Sequence, residues 1–256
     1  MTSEATPAVG VEDRSAVVIG GTTGIGRAIA LAFAETGADV IATSRSEDSV
    51  ESVAAELRER GATTTEVTCD VRNRESIERL CEVAEDTFGS VNLLVNSAGS
   101  VAQASVVEMT EEEWERDIDV CLTGVFHACQ VFGRAMTEGS IVNVSSMSAG
   151  QAREERPAYC AAKSGVNGLT RAAAADLAPE IRVNAIAPGF VKTPLAGEKL
   201  EDGSEFRETV DERTPMGRVA APEEIAGSVI HLTSDTASFT TGQVLTVDGG
   251  YDISAQ

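Results

Sequence analysis

Two scarce residue types stand one helical turn apart at Tyr159 and Lys163. The 256-residue chain contains only two tyrosines, Tyr159 and Tyr251, and three lysines, Lys163, Lys192 and Lys199. In Tyr159-Cys160-Ala161-Ala162-Lys163 the i, i+4 spacing puts a phenol and an ammonium on one face of a predicted helix. A phenol alone holds its proton too tightly to act as a base at neutral pH. A neighbouring cation stabilises the phenolate, and the phenol then exchanges a proton with an alcohol or carbonyl oxygen. The spacing by itself also occurs in plain surface helices; here both members come from rare types. Ser146 sits at the end of a predicted strand, where a hydroxyl faces the ligand crevice of a doubly wound sheet and donates to a carbonyl oxygen. Ser145, beside it, points to the opposite face by strand alternation.

A second constellation suits phosphate. Gly20-Gly21-Thr22-Thr23-Gly24-Ile25-Gly26 joins a predicted strand to a predicted helix. Glycines allow a tight turn and close approach of a pyrophosphate to backbone N–H groups, and the helix N-terminus adds its positive end. Glycine also serves plain turns, and the placement inside a βαβ unit favours the binding role. The next strand ends Thr43-Ser44-Arg45-Ser46. An NAD site places an acid there for the ribose 2′-hydroxyl. Ser44 and Arg45 instead suit a 2′-phosphate, so NADP(H) is favoured over NAD(H). Glu47 and Asp48 close by oppose a phosphate, and Arg45 reads equally as a solvated helix-start residue.

The elements that position these residues alternate in type. Strands are predicted over residues 15–19, 39–43, 64–68, 92–95, 140–145, 181–187 and 243–247. Helices are predicted over 25–36, 46–60, 74–88, 111–136, 158–177 and 222–233; the first three are closed by Gly37, Gly61 and Gly89. Residues 188–215 read as an irregular, charged stretch, and residues 1–13 as a loose tail before one domain over 14–256. Strict alternation predicts an α/β fold: a Rossmann-type, doubly wound parallel sheet with helices on both faces.

Composition narrows the partners. Asp and Glu number 41 against 20 Lys and Arg, a net charge of −21. Such a surface repels phosphate backbones and anionic lipid, so neither nucleic acid nor a membrane is an expected partner. Of the 20 basic residues, 17 are arginine. An acidic, lysine-poor surface fits a very salty cytoplasm, where screening removes self-repulsion, although an ordinary acidic enzyme reads the same way. The five cysteines have neither C-x-x-C spacing nor an even count, so no metal site or disulfide frame is expected. A reducing, cytoplasmic setting fits, and no secretory leader or membrane span is visible.

Together these motifs resemble the short-chain dehydrogenase/reductase family from about Arg14 to Tyr251. The family's T-G-x-x-x-G-x-G turn appears as Ile19 to Gly26, with Ile19 in place of threonine, and its N-N-A-G segment as Asn96-Ser97-Ala98-Gly99. The adenine-contacting pair appears as Asp70-Val71. The proline-glycine turn is Pro188-Gly189, leading to Val191 and Thr193, and the closing V-D-G-G is Val247 to Gly250. The resemblance implies a seven-stranded sheet, a homotetramer, and a catalytic set of Ser146, Tyr159 and Lys163. In that set Tyr159 is the acid/base, Lys163 assists it and binds the nicotinamide ribose, and Ser146 positions the substrate oxygen. Cys121 stands where the family often has an asparagine supporting a proton relay; the backbone carbonyl is kept, the side-chain bonds are lost, and a weakened relay is expected.

Specificity is expected in Ser100 to Ser105, Met147 to Pro157 and the lid-like Leu195 to Pro215. Arginines in Arg153-Glu154-Glu155-Arg156 read either as carboxylate binders or as part of a solvated charge cluster. The leading substrate class is a sugar or keto-sugar acid, with a 3-oxoacyl thioester second. A nucleotide-binding scaffold or sensor without catalysis is the competing class, favoured by Cys121 and Ser97 and opposed by the intact Ser146, Tyr159 and Lys163.

Overall fold

The computed structural model describes residues 9–254. Short apolar runs form six strands in one parallel sheet. These are β1 (Ser15–Ile19), β2 (Asp39–Thr43), β3 (Leu93–Asn96), β4 (Gly139–Val144), β5 (Ile181–Pro188) and β6 (Val244–Val247), in the order β2-β1-β3-β4-β5-β6. The chain leaves β1 towards β2 on one side and later returns to β3 on the other. That reversal is a topological switch point, and a crevice opens there beyond the strand C-termini.

Strand alternation divides the core between two faces. Ala16, Val18, Leu93, Val95, Val142 and Val144 face one cluster, which buries Ile29, Phe33, Ile225 and Val229. These last belong to α1 (Gly24–Glu35) and α8 (Pro222–Thr233). Val17, Ile19, Leu94 and Ile141 face the other cluster, with Ile77, Leu80, Phe132 and Val166. These come from α3 (Arg74–Phe88), α5 (Gly124–Ala135) and α6 (Pro157–Leu177). Burying both faces of a parallel sheet is what makes its strands continuous apolar runs rather than alternating ones.

Three segments differ from the sequence expectation. Residues 64–68 form no strand, so among the described residues the sheet has six strands rather than seven. The segment runs beside β2 and touches it at intervals: Val40 N–H donates to Thr63 O at 3.1 Å and Cys69 N–H to Ser44 O at 2.9 Å. Between them the Thr43 hydroxyl, not a backbone N–H, takes the Val67 carbonyl at 2.5 Å. The helix expected over 111–136 is α4 (Glu111–Ile118), one π-helical turn (Asp119–Thr123) and α5. In that turn Gly124 N–H reaches back to Asp119 O. The stretch expected to be irregular holds a 3₁₀ segment, Pro194–Leu200, and α7 (Glu205–Arg213), which gather Leu200, Val210 and Val219 into a small core of their own against Phe190. Of the expected tail, residues 1–8 lie outside the described residues, while Val11 is buried in the main core. Among the described residues no helix is long and apolar enough to cross a membrane.

Candidate active site

A cleft of about 580 Å³ lies at the switch point. Its floor is the turn between β1 and α1. Gly20 adopts φ +77, and a Cβ on Gly26 would stand 2.1 Å from the Gly20 carbonyl oxygen, so only glycine closes this turn. The turn aims the first N–H groups of α1 at the cleft. α1 has no acid in its first turn, whereas α2 (Glu47–Glu59), α4 and α8 each have at least two. In so acidic a chain, this helix N-terminus is left open for an anion.

The catalytic candidates are held by α6 and by the end of β4. Pro157 starts α6 in its first turn. Lys163 is 3% exposed, donates from Nζ to the Val144 carbonyl at 2.7 Å, and lies 5.6 Å from the centre of the Tyr159 ring. The 3₁₀ turn Met147–Ala149 leaves β4 through Ser146. Ser148 N–H donates to Ser146 Oγ at 3.1 Å, which turns the oxygen and leaves the hydroxyl hydrogen for an outside acceptor. Two bonds lock this turn to α6: Ser164 Oγ donates to Ala149 O at 2.8 Å, and Ser145 Oγ to Asn167 Oδ1 at 2.6 Å. Ser145 thus spends its hydroxyl on α6, but it lines the cleft beside Ser146 rather than lying on the opposite face as expected.

Most of the residues singled out from the sequence meet here. Gly20, Thr22, Thr23, Gly24, Ile25 and Gly26 line one part of the cleft, and Ser44, Arg45, Asp70 and Val71 another. Ala98, Gly99, Ser146, Tyr159 and Lys163 line a third, with Pro188, Gly189, Val191 and Thr193. The three expected specificity segments each contribute lining: Ser100 and Val101; Met147, Ser148, Arg153 and Arg156; and Leu195 with Ala196 and Leu200. Arg72 donates to Asp70 at 2.6 Å and holds its carboxyl below the usual range, with Arg45 adding to the effect. Glu47 and Asp48 are exposed and outside this lining.

Two expected site residues do not reach the cleft. Asn96 is buried and donates to Asn143 Oδ1 at 2.8 Å; Asn143 in turn donates to Thr170 Oγ1 at 3.0 Å. Its amide therefore ties β3 to β4 and α6 from inside the core. Cys121 is also fully buried, inside the π turn. Its thiol accepts from Ser100 N–H at 3.3 Å and donates to Ser100 O at 3.2 Å. Burial pushes the thiol up, against the opposing pull of the Lys163 ammonium. Through these two bonds the Cys121 thiol staples the Ser100 backbone to the π turn.

Sequence reasoning missed the second anchor of that loop. Asp117 is fully buried and accepts from Ser100 Oγ and from Ala102 N–H, both at 2.7 Å. It follows a run of exposed acids in α4, and nothing in its type or spacing marks it out. Phe190 was missed too, although it follows the Pro188-Gly189 turn directly.

A doubly wound sheet, a glycine turn at its switch point and a Tyr–Lys pair above it define the class of nucleotide-dependent oxidoreductases. A family model described as enoyl-(acyl carrier protein) reductase matches residues 20–252. The chain is 39% identical to the 3-oxoacyl-[acyl-carrier-protein] reductase FabG of Thermotoga maritima, over 94% of this chain and 98% of that protein. It is 41% identical to the cis-4-hydroxycyclohexanecarboxylate dehydrogenase of Sinomonas cyclohexanicum, over 93% and 96%. The crystal structure of a glucose/ribitol-type short-chain dehydrogenase/reductase from Brucella melitensis superimposes with a TM-score of 0.89 at 34% identity, covering 94% of this chain and 97% of that one. The chain belongs to the short-chain dehydrogenase/reductase family. It is an oxidoreductase, and the family implies a nicotinamide cofactor.

Proposed function

We propose that the protein interconverts a secondary alcohol and a ketone with NADP(H), using Tyr159 as acid/base. The observation that carries this is the convergence of Ser146, Tyr159 and Lys163 on the cleft that begins at the glycine turn. The residues fit a dinucleotide. Backbone N–H groups of the turn and of α1 hold the pyrophosphate. Arg45 and Ser44 hold a ribose phosphate, and Asp70 and Val71 border the adenine. Pro188, Gly189, Val191 and Thr193 border the carboxamide, and Lys163 reaches the nicotinamide ribose. Ala98 and Gly99 shape the wall between these parts, and Asn96 supports it from the core by tying β3 to β4 and α6. A bound nicotinamide supplies the carbon that accepts or donates a hydrogen with its electron pair.

The chain's own groups handle the proton. Ser146 donates to the substrate oxygen and fixes its place. In oxidation Tyr159 accepts the hydroxyl proton as the C–O bond gains double-bond character; in reduction it returns one. Lys163 places a positive charge beside it, with Nζ 5.6 Å from the centre of the Tyr159 ring. Cys121 and Asp117 act at one remove, by holding Ser100 and Ala102 at the cleft mouth.

The leading substrate is a sugar or keto-sugar acid, supported by the hydroxyl-bearing lining of Ser100, Ser146, Ser148 and Thr193 and by the glucose/ribitol-type structural relative. A 3-oxoacyl thioester is the second reading, favoured by the FabG relative. The catalytic unit is one domain working in a reducing, salty cytoplasm, as five free cysteines and the acidic surface suggest. A homotetramer is supported by family likeness and by exposed apolar side chains such as Phe239, Trp114 and Phe126.

Initial rates with NADPH and NADH on sugar acids and on 3-oxoacyl thioesters test this. The expected result is a preference for NADPH that Arg45→Asp reverses. A preference for NADH in the wild type overturns the cofactor assignment, and turnover of thioesters alone reverses the substrate order.

A further inference from the structure

The cleft has the opposite charge from the molecule that contains it. Five cationic side chains line it, Arg45, Arg116, Arg153, Arg156 and Lys163, against one carboxylate, Asp70, which is already held by Arg72. Arg45 belongs to the ribose-phosphate end, Lys163 to the catalytic pair, and Arg116 pairs with Asp117 at 3.7 Å. Arg153 and Arg156 have no such assignment. They sit in the segment just before Tyr159, on the same loop as Ser146.

The backbone sorts the charges of this segment. Glu155 adopts φ +57, a left-handed conformation that side chains other than glycine rarely take. Its carbonyl accepts from Ala104 N–H at 3.0 Å, which pins the turn to the neighbouring loop. The result is that Arg153 and Arg156 line the cleft and are partly buried, while Glu154 and Glu155 are exposed and outside it. A solvated charge cluster would need no strained residue and would pair its own charges. Nine other arginines form ion pairs among the described residues, yet neither Arg153 nor Arg156 has a carboxylate within reach. The Arg153 guanidinium instead lies over the Phe190 ring, 4.4 Å from its centre, a contact that restrains it at the cleft wall. Burial pulls Arg153 below the usual arginine range, and Tyr251 only eases this. Two partly desolvated guanidinium groups facing a catalytic cleft without a protein anion form a receptor for a planar, bidentate anion.

We infer that Arg153 and Arg156 form a carboxylate clamp, and that the physiological substrate is an anionic hydroxy acid or its oxo acid rather than a neutral alcohol. The clamp rests on the proposed alcohol–ketone chemistry only for its use. As a binding site it stands separately. It supplies what the overall charge of −21 denies, an attractive field for an anion at the reacting end of the cleft.

The test uses pairs of secondary alcohols differing only in carboxylate against primary amide, namely gluconate with gluconamide and 3-hydroxybutanoate with 3-hydroxybutanamide. For each pair kcat/KM is measured with the wild type, Arg153→Gln, Arg156→Gln and the double variant, in 0.5 M KCl. Binding to the cofactor-saturated protein is measured in parallel by calorimetry. The wild type is expected to prefer the acid of at least one pair, and each single variant to lower the acid-to-amide ratio roughly 10- to 100-fold through KM, the range for a hydrogen-bonded charge. Arg156→Lys should restore part of the ratio, because charge returns without the bidentate fork. Arg58→Gln, which removes an equal charge on the outer surface, should leave the ratio unchanged. Amides bound and turned over as well as acids, or a ratio untouched in the double variant, would overturn the clamp. Absence of turnover with every pair would count against the oxidoreductase reading for these substrates, and calorimetry would still decide the clamp: acid binding that is lost in the double variant supports it, and acids bound no better than amides sink it.

Discussion

At Cys121 a residue that reads as a departure from the catalytic pattern turns out to have a satisfied structural job. Its thiol both accepts from and donates to the backbone of Ser100. Replacing it with alanine removes the partner of that half-buried N–H, a loss of about 1 kcal/mol. We expect Cys121→Ala to unfold at lower denaturant, to raise KM through the loosened Ser100 loop, and to keep kcat within about threefold, since a residue outside the cleft makes no bond special to the transition state. A tenfold or larger fall in kcat at unchanged KM would place the thiol in the chemistry instead. The same contrast runs through the site. Tyr159, Lys163 and Ser146 were readable from the sequence because rare types at fixed spacing leave a mark. Asp117, Asn143 and Asn167 were not, because a polar residue in a core is named by the partner it meets, and the partner comes from a distant part of the chain.

At the scale of elements, the outcome depended on how local the physics was. Strands β1 to β6 and the glycine-closed helices follow from periodicity and turn chemistry within a few residues. The Thr64–Thr68 segment has the β-branched composition of a strand, but the edge of β2 offers it a threonine hydroxyl where a ladder bond would fall. The break in the helix at Asp119–Thr123 was hidden because a single π turn keeps the helical hydrophobic pattern almost unchanged. Helix α8 shows a local device with a measurable pH signature. Its N-terminus has no capping side chain on Ala221; Glu224 reaches back to accept from Ala221 N–H at 2.9 Å and pairs with Arg218 at 2.6 Å. The Arg218 guanidinium, foremost, and the Ala221 N–H lower its carboxyl to about 2 from an ordinary 4.5. Because the folded value is depressed, the stabilisation is complete above the ordinary glutamate range and disappears as pH falls towards 2. Glu224→Gln should therefore melt a few degrees below the wild type at pH 7, and the gap should close between pH 5 and 2, within the range set by those two values. A gap that is constant with pH would show that the carboxylate charge is not what holds this helix end.

For the molecule as a whole, −21 is a sum over surfaces that do different things. The outer surface repels itself, and the cleft attracts anions. Screening falls from a Debye length of about 10 Å at 0.1 M salt to about 3 Å at 1 M, so salt relieves the outer repulsion first. The melting temperature should rise by several degrees between 0.1 and 2 M KCl. A melting temperature that is flat or falls over that range would mean that the acidity is ordinary rather than adaptive. The cleft's partly buried arginines should keep their grip on an anion better than surface charges over the same range, because desolvated pairs are screened less.

The proposed alcohol–ketone interconversion in this cleft turns on proton exchange at Tyr159. Its most direct test is the turnover of Tyr159→Phe beside the wild type, on the best substrate found, together with fluorescence titration of NADPH binding. Turnover should fall at least about 100-fold, the scale of a lost general acid/base, while NADPH binds within about threefold of the wild type. A variant that keeps more than a tenth of wild-type turnover would contradict it.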